Sequence, residues 1–256
     1  MHLTAQGIGM DYRRTGTAVT VLDNISLTLA NGEFVSLLGP SGVGKTTLLR
    51  CLAGLTQPTR GCVLLGDRPL HGPAPGMAMV FQDYAATLFP WRTVLGNVLF
   101  GLEASGLSVS EGRGLALAAL ADVGLADVAA HHPWELSGGM QQRVAMARAM
   151  ASGARLLLMD EPFASVDALT RVGLEDLLLR LWRERACSVL FVTHDVDEAI
   201  YLSDRVLVLG GLPARISGAV SVDLPRPRKQ LSTRSDPAFA DLRGELFALL
   251  GGEAAE

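Results

Sequence analysis

A chain of 256 residues that is 49% hydrophobic, 19% charged and 5% aromatic holds ample material for a core, which excludes a disordered or low-complexity segment. A formal charge of −4 with no dense Lys/Arg block excludes the electrostatic footprint of a nucleic-acid binder. Mean hydropathy is +0.30, yet no apolar stretch approaches the roughly 20 residues that span a bilayer, so the excess belongs to core and partner surface.

Residues 1–11 show no basic region followed by an apolar one, so no secretory signal is expected and the chain is expected in the cytosol. Residues 21–29 and 61–65 read as strands bounded by the turns Asn31-Gly32 and Gly66-Asp67, and predict a small antiparallel sheet. Five short runs rich in Val, Leu and Phe, at 34–38, 77–81, 156–159, 189–193 and 206–209, read as buried strands. Helical patterns lie between most of them, which predicts an α/β fold with a mainly parallel sheet. Between 88 and 150 the strand signal gives way to an Ala/Leu-rich helical pattern, expected as an inserted helical subdomain. After Gly210 the chain is turn-rich, with Pro213, Pro225 and Pro227. Phe239, Leu242, Leu246 and Leu249 then fall at helical spacing between Pro237 and Gly251-Gly252, predicting a short tail helix. The expectation is one domain: a core from 1–87 and 151–210 that includes the antiparallel part, the helical insert 88–150, and the tail 211–256. Cys51, Cys62 and Cys187 are odd in number and widely spaced, which points to reduced, buried thiols rather than disulfides or a zinc site.

The segment Gly39-Pro40-Ser41-Gly42-Val43-Gly44-Lys45-Thr46 satisfies G-x-x-x-x-G-K-[ST] between a strand and a helix running through Leu48, Leu49 and Leu52. Glycines let backbone N–H groups wrap a phosphate chain, and the helix N-terminus adds partial positive charge. Only two of the 22 basic residues are lysines, so Lys45 stands out as a compact charge for the β and γ phosphates, with Thr46 placed to hold Mg²⁺. The apolar run from 156 ends in adjacent carboxylates, Asp160 and Glu161, which are costly there without a metal or a reaction to serve. Beside a phosphate loop, Asp160 is expected in the Mg²⁺ shell and Glu161 as the general base that polarises water. A third element, Ser137-Gly138-Gly139, caps a helix with Met140, Val144, Ala147 and Ala151 on one face. Taken alone it is an ordinary capped helix. Beside the loop it is a second anion site without a lysine of its own, which predicts a head-to-tail dimer with ATP in the seam.

Together these segments resemble the ATP-binding subunit of an ABC transporter over essentially the whole chain: 39–46 as Walker A, 156–161 as Walker B and 136–141 as the family signature. The resemblance implies a P-loop NTPase core with a small antiparallel β subdomain and an inserted helical one. It implies nucleotide binding by Gly39, Pro40, Ser41, Gly42, Val43, Gly44, Lys45, Thr46 and Thr47, and action of Ser137, Gly138, Gly139 and Gln141 on the partner's ATP. Gln82 falls where the family places the glutamine that senses Mg²⁺ and couples to the permease. Asp167 of Ser165-Val166-Asp167 occupies the dimer-contacting D-loop, with Val166 in place of the usual Leu. His194 matches the switch histidine that contacts γ-phosphate, and Tyr12 sits where an aromatic stacks on adenine. His131-His132 has no such context and reads as an exposed helix end.

Residues 88–94, with Asn97-Val98 and Gly101-Leu102, resemble the stretch after the glutamine loop in importers for nitrate, alkanesulfonates and taurine. Such a turn would meet the coupling helix of a permease; on physics alone it is a Pro-punctuated apolar turn. Residues 198–205 resemble the importers too, and the tail is expected to end without the extra regulatory domain of sugar-importer ATPases. The function implied is ATP hydrolysis at the cytoplasmic face of the plasma membrane, powering a separate permease loaded by an extracytoplasmic binding protein. Importers of thiamine-precursor pyrimidines share much of the pattern. A nontransport ABC ATPase is the competitor from another class, but such chains usually carry two cassettes, coiled coils or nucleic-acid-binding segments.

Overall fold

The run Phe34–Leu38 is buried at every position, and a segment of that kind belongs inside a sheet covered on both faces. The computed structural model describes residues 2–14 and 17–251. In chain order the strands are β1 (Leu3–Arg14), β2 (Thr17–Leu29), β3 (Phe34–Leu38), β4 (Arg60–Leu65), β5 (Arg68–Pro69), β6 (Met77–Val80), β7 (Leu156–Asp160), β8 (Ser188–Thr193), β9 (Arg205–Gly210) and β10 (Arg215–Ser221). The α-helices are α1 (Lys45–Leu52), α2 (Tyr84–Thr87), α3 (Val94–Phe100), α4 (Val109–Asp122), α5 (Gly138–Ala151), α6 (Ala168–Arg185), α7 (Val196–Leu202), α8 (Gln230–Arg234) and α9 (Pro237–Gly251). The chain forms two compact units, Met1–Ala74 with Cys187–Glu256, and Pro75–Ala186.

In the first unit β3 lies between β8 and β9 and runs parallel to both, Leu38 being opposite Thr193 on one side and Val208 on the other. All of β8 is buried; β10 closes this edge antiparallel to β9. A second, wholly antiparallel sheet has the order β2-β1-β4-β5. It contains both strands expected there and two that were not, β1 and the short β5. The polar residues of β1 hide a buried set, Leu3, Ala5, Ile8 and Met10, whose alternation is broken by register shifts after Ala5. Gly61 (φ 77) makes the close crossing possible, since a Cβ there would collide with the carbonyls of Gln6 and Gly7.

The tail differs from its turn-rich reading. Residues 215–221 form β10 despite Gly218, because Leu249 of α9 packs where a side chain at that position would stand. The helix expected from 237 is α9, which buries Phe239 and Leu246; Gly252 lies outside the described residues. Between strand and helix, Arg228 is 8% exposed and donates to the carbonyls of Ile200, Tyr201 and Val222. Burial lowers its pKa to about 10.

In the second unit β6 and β7 pair in parallel, Met77 opposite Leu156 and Val80 opposite Met159. Helices α3, α4 and α5 pack on one another, and each starts on a side-chain cap: Thr93, Ser108 and Ser137. Ser108 forms a reciprocal capping box with Glu111, and the bonds from Ser108 hold that carboxyl below its ordinary pKa. Arg148 of α5 reaches Thr87 O at 2.7 Å and Thr87 Oγ1 at 3.0 Å. No helix among the described residues is long and apolar enough to cross a membrane.

The three cysteines are free; Cys51 and Cys187 are buried and Cys62 is half-buried. Burial pushes the Cys51 thiol up to about 11, which leaves on the order of 10⁻³ of it as thiolate at pH 8. Iodoacetamide at pH 8 is therefore expected to label Cys62 in the native protein and to spare Cys51 and Cys187 until denaturant is added. Peptide mass mapping of the alkylated chain checks this, and rapid native labelling of Cys51 contradicts it.

Candidate functional site

In the first unit the chain leaves β3 through Gly39, where a Cβ would run into the carbonyl oxygen of Leu209 on β9. Only glycine lets the turn start this close to the neighbouring strand. Pro40, Ser41 and Gly42 are then exposed and Val43 is buried. Gly44 (φ 118) forms the N-cap of α1 in a left-handed conformation with no side-chain cap. Lys45 is 4% exposed, and its Nζ donates to Gly39 O at 2.7 Å and Pro40 O at 2.8 Å. A buried ammonium requires such acceptors, and here they come from the loop that it follows. Thr46 and Thr47 are half-buried in the first turn of α1. Pro40, Ser41, Gly42 and Val43 line an open cleft of about 400 Å³ with Gly211 and Leu212.

Tyr12 stands near the end of β1 opposite Val19 and is 43% exposed. His194 is the first residue beyond β8 and is exposed. Its flanks are anchored on both sides. Thr193 donates its hydroxyl to Glu198 Oε2 at 2.6 Å, and Asp195 caps α7 by accepting from the backbone N–H groups of Asp197 and Glu198.

In the second unit Gln82 is exposed just beyond β6, next to Asp83, whose carboxylate accepts from Ala86 N. Asp160 ends β7 at 3% exposure, and Glu161 follows at φ 41. A non-glycine residue in the left-handed region costs about 1 kcal/mol or more, a strain that the surrounding structure has to hold in place. Ser137 is the N-cap of α5, its Oγ accepting from Met140 N, with Gly138 exposed in the first turn. Gly139 packs against α6, where an added Cβ would stand 2.5 Å from Thr170 Cγ2. Thr170 N in turn donates to Asp167 Oδ1 at 3.0 Å, and the bonds from Thr170 hold the Asp167 carboxyl below its ordinary range. The structure thus joins Gly139 and Asp167 through Thr170, a link that no spacing rule reveals. Gln141 turns back, its Nε2 donating to Pro133 O and Leu136 O, so it shapes the segment that precedes the cap.

His131 is exposed and His132 half-buried where a short 3-10 helix, Pro133–Glu135, begins, the His132 ring being stacked on Trp134 at 4.5 Å. Asn97 is fully buried. It accepts from Phe89 N and donates to the carbonyls of Phe89, Arg92 and Thr93, which fixes the turn at 89–93.

The family described as ABC transporter matches residues 22–164. The chain belongs to this family. It is similar to an ATP-binding protein of Brucella abortus, 49% identical over 88% of this chain and 86% of that one. A taurine import ATP-binding protein of Chromobacterium violaceum is 43% identical over 96% of this chain and 94% of its own length. A nitrate import ATP-binding protein of Synechococcus elongatus is 44% identical over 92% of this chain, which is 36% of the nitrate protein. Among solved structures, a dimeric bacterial ABC transporter cassette matches with a TM-score of 0.75 at 30% identity, over 86% of this chain and 98% of that one. The same cassette is known in a post-hydrolysis state with ADP and Pi. The chain is an ABC-type transport ATPase.

Gly139→Ala is expected to destabilise the protein by about 1–3 kcal/mol through the contact with Thr170. Adding Thr170→Ser, which deletes the offending methyl and keeps the backbone N–H that Asp167 caps, is expected to recover most of the loss. Denaturant melts of the single and double variants measure both, and a double variant no better than Gly139→Ala contradicts the packing.

Proposed function

We propose that this ATPase powers uptake of a small anion or organosulfur solute, an alkanesulfonate, taurine or nitrate, through a separate permease. The observation that carries the proposal is the similarity to the Chromobacterium violaceum taurine import protein along almost the whole of both chains. The likeness to a nitrate import protein supports the same branch. The dimeric cassette supports a head-to-tail pair of copies, with permease subunits as the membrane partners and a solute-binding protein acting on them from outside. The working position is the cytoplasmic face of the plasma membrane.

In this reading Gly39, Pro40, Ser41, Gly42, Val43 and Gly44 present backbone N–H groups to the phosphates of ATP, and Lys45 exchanges its carbonyl partners for phosphate oxygens. Thr47 follows in the same helical turn, and Tyr12 offers its exposed ring to adenine. The hydroxyl of Thr46, the amide oxygen of Gln82 and the carboxylate of Asp160 are hard oxygen donors, the set that suits Mg²⁺. Bound Mg²⁺ neutralises charge on the phosphate oxygens. Glu161, which leaves β7 at φ 41, accepts a proton from the attacking water. His194 contacts the γ-phosphate. Ser137, Gly138 and Gly139 form the helix start that meets the partner's ATP, Gln141 supports that segment, and Asp167 orders the dimer-facing turn.

Glu161→Gln is expected to lower steady-state phosphate release at least about 100-fold while ATP binding is retained. Full turnover in this variant overturns the general-base assignment. Ser137→Arg is expected to abolish ATP-dependent dimerisation with nucleotide binding intact, as read by light scattering. For the solute, a deletion strain is grown with taurine or alkanesulfonates as sole sulfur and with nitrate as sole nitrogen. Loss on one of these assigns the solute, and normal growth on all overturns the proposed branch in favour of another cargo such as a thiamine-precursor pyrimidine.

A further inference from the structure

Helix α7, which follows His194, is held at both ends by arginines from the C-terminal segment. At its C-terminal end, Arg228 donates to the carbonyls of Ile200 and Tyr201, and Arg226 donates to the carbonyl of Leu202. Cationic donors on the last carbonyls of a helix are a favourable cap. At its N-terminal end, Asp197 receives a two-pronged guanidinium. Arg243 of α9 donates from Nε to Oδ1 and from Nη2 to Oδ2, both at 2.7 Å. Arg234 of α8 adds a second cation 3.5 Å from Oδ2.

Both arginines also lie over aromatic rings. Arg243 lies over the ring of Phe239 at 5.3 Å; Arg234 lies over Tyr201 at 5.0 Å and Phe239 at 5.9 Å. Both rings are fully buried. A planar guanidinium stacked on a buried ring and forked onto a carboxylate has little freedom left, so the position of Asp197 is set by the tail. Asp197 is three residues from His194. The intervening backbone is pinned to it, because Asp195 Oδ1 accepts from both Asp197 N and Glu198 N.

We propose that Arg243 and Asp197 are positioning residues for His194: the C-terminal helix acts through α7 to set where the switch histidine stands. The proposal rests on the reading of His194 as the γ-phosphate contact. The Asp197 and Arg243 side chains are 35% and 39% exposed, so the pair contributes little to stability through its charge. Its consequence is orientation, and orientation errors reduce turnover more than they reduce ground-state binding.

The test uses the full-length chain with ATP and Mg²⁺, reading steady-state phosphate release for Arg243→Ala, Arg243→Lys, Asp197→Ala, the double alanine variant and His194→Ala. Arg243→Ala is expected to lower kcat about tenfold with KM for ATP unchanged and the melting temperature close to wild type. Arg243→Lys, which keeps the charge, recovers part of the loss, and the double variant is no slower than either single one. If His194→Ala abolishes turnover while Arg243→Ala keeps full kcat, the positioning role is overturned and the reading of His194 stands. If kcat, KM and melting temperature fall together, or the two alanine effects add, the pair is only structural. Full turnover in His194→Ala removes both the reading and the proposal.

Discussion

The structure turns on how the chain leaves β3. The strand is walled in by β8 and β9 and buried along its whole length, so it can end only by turning against a neighbour. At Gly39 that neighbour is the carbonyl oxygen of Leu209, at a distance that admits no side chain. Once the turn is forced there, Lys45 falls at the start of α1, with its ammonium returned to the carbonyls of Gly39 and Pro40. The loop therefore offsets the desolvation of its own cation with its own carbonyls.

A comparable constraint operates in the second unit, with different chemistry. Asp160 is the last residue of a fully buried strand, and Glu161 must turn away from it through a left-handed backbone conformation that a side chain disfavours. The surrounding structure bears that strain. At Gly139 the demand is spatial instead: α5 and α6 come together where only a hydrogen can sit beside Thr170.

These differences explain which features were legible in the sequence. Phosphate loop, strand-end carboxylates and capped signature helix are local: each is a short word whose chemistry follows from residue types at fixed spacing, and each lies on the expected element. The buried runs from 34 and 189 were equally plain, because strands covered on both faces carry no polar alternation to confuse them. By contrast β1 was hidden, since its bulged register shifts destroy the period of two on which a half-buried strand is recognised. The strand β10 was hidden because Gly218 and the nearby prolines signal turns, while the side chain that fills the gap, Leu249, comes from far along the chain. The bridge from Gly139 through Thr170 to Asp167, and the Arg243–Asp197 fork, are contacts between elements. No period or motif encodes them.

The basic residues divide the labour in a way that these contacts make intelligible. The chain has twenty arginines and two lysines, and several of the arginines make forks or stacks: Arg243 on Asp197 and Phe239, Arg226 on Asp204 and the Leu202 carbonyl, Arg148 on Thr87. A guanidinium suits such places because its donors are fixed in a plane and its face lies well on an aromatic ring. Those same properties make it a poor substitute in a narrow phosphate loop, where a compact ammonium with rotatable donors can trade one set of oxygens for another. Arginine holds the scaffold in one arrangement, and the lysine at position 45 sits where the proposed function has partners exchanged. It follows that the tail, although remote from the loop in sequence, is part of the same working unit: what it immobilises is the helix that begins one residue after the Asp195 cap and two after His194.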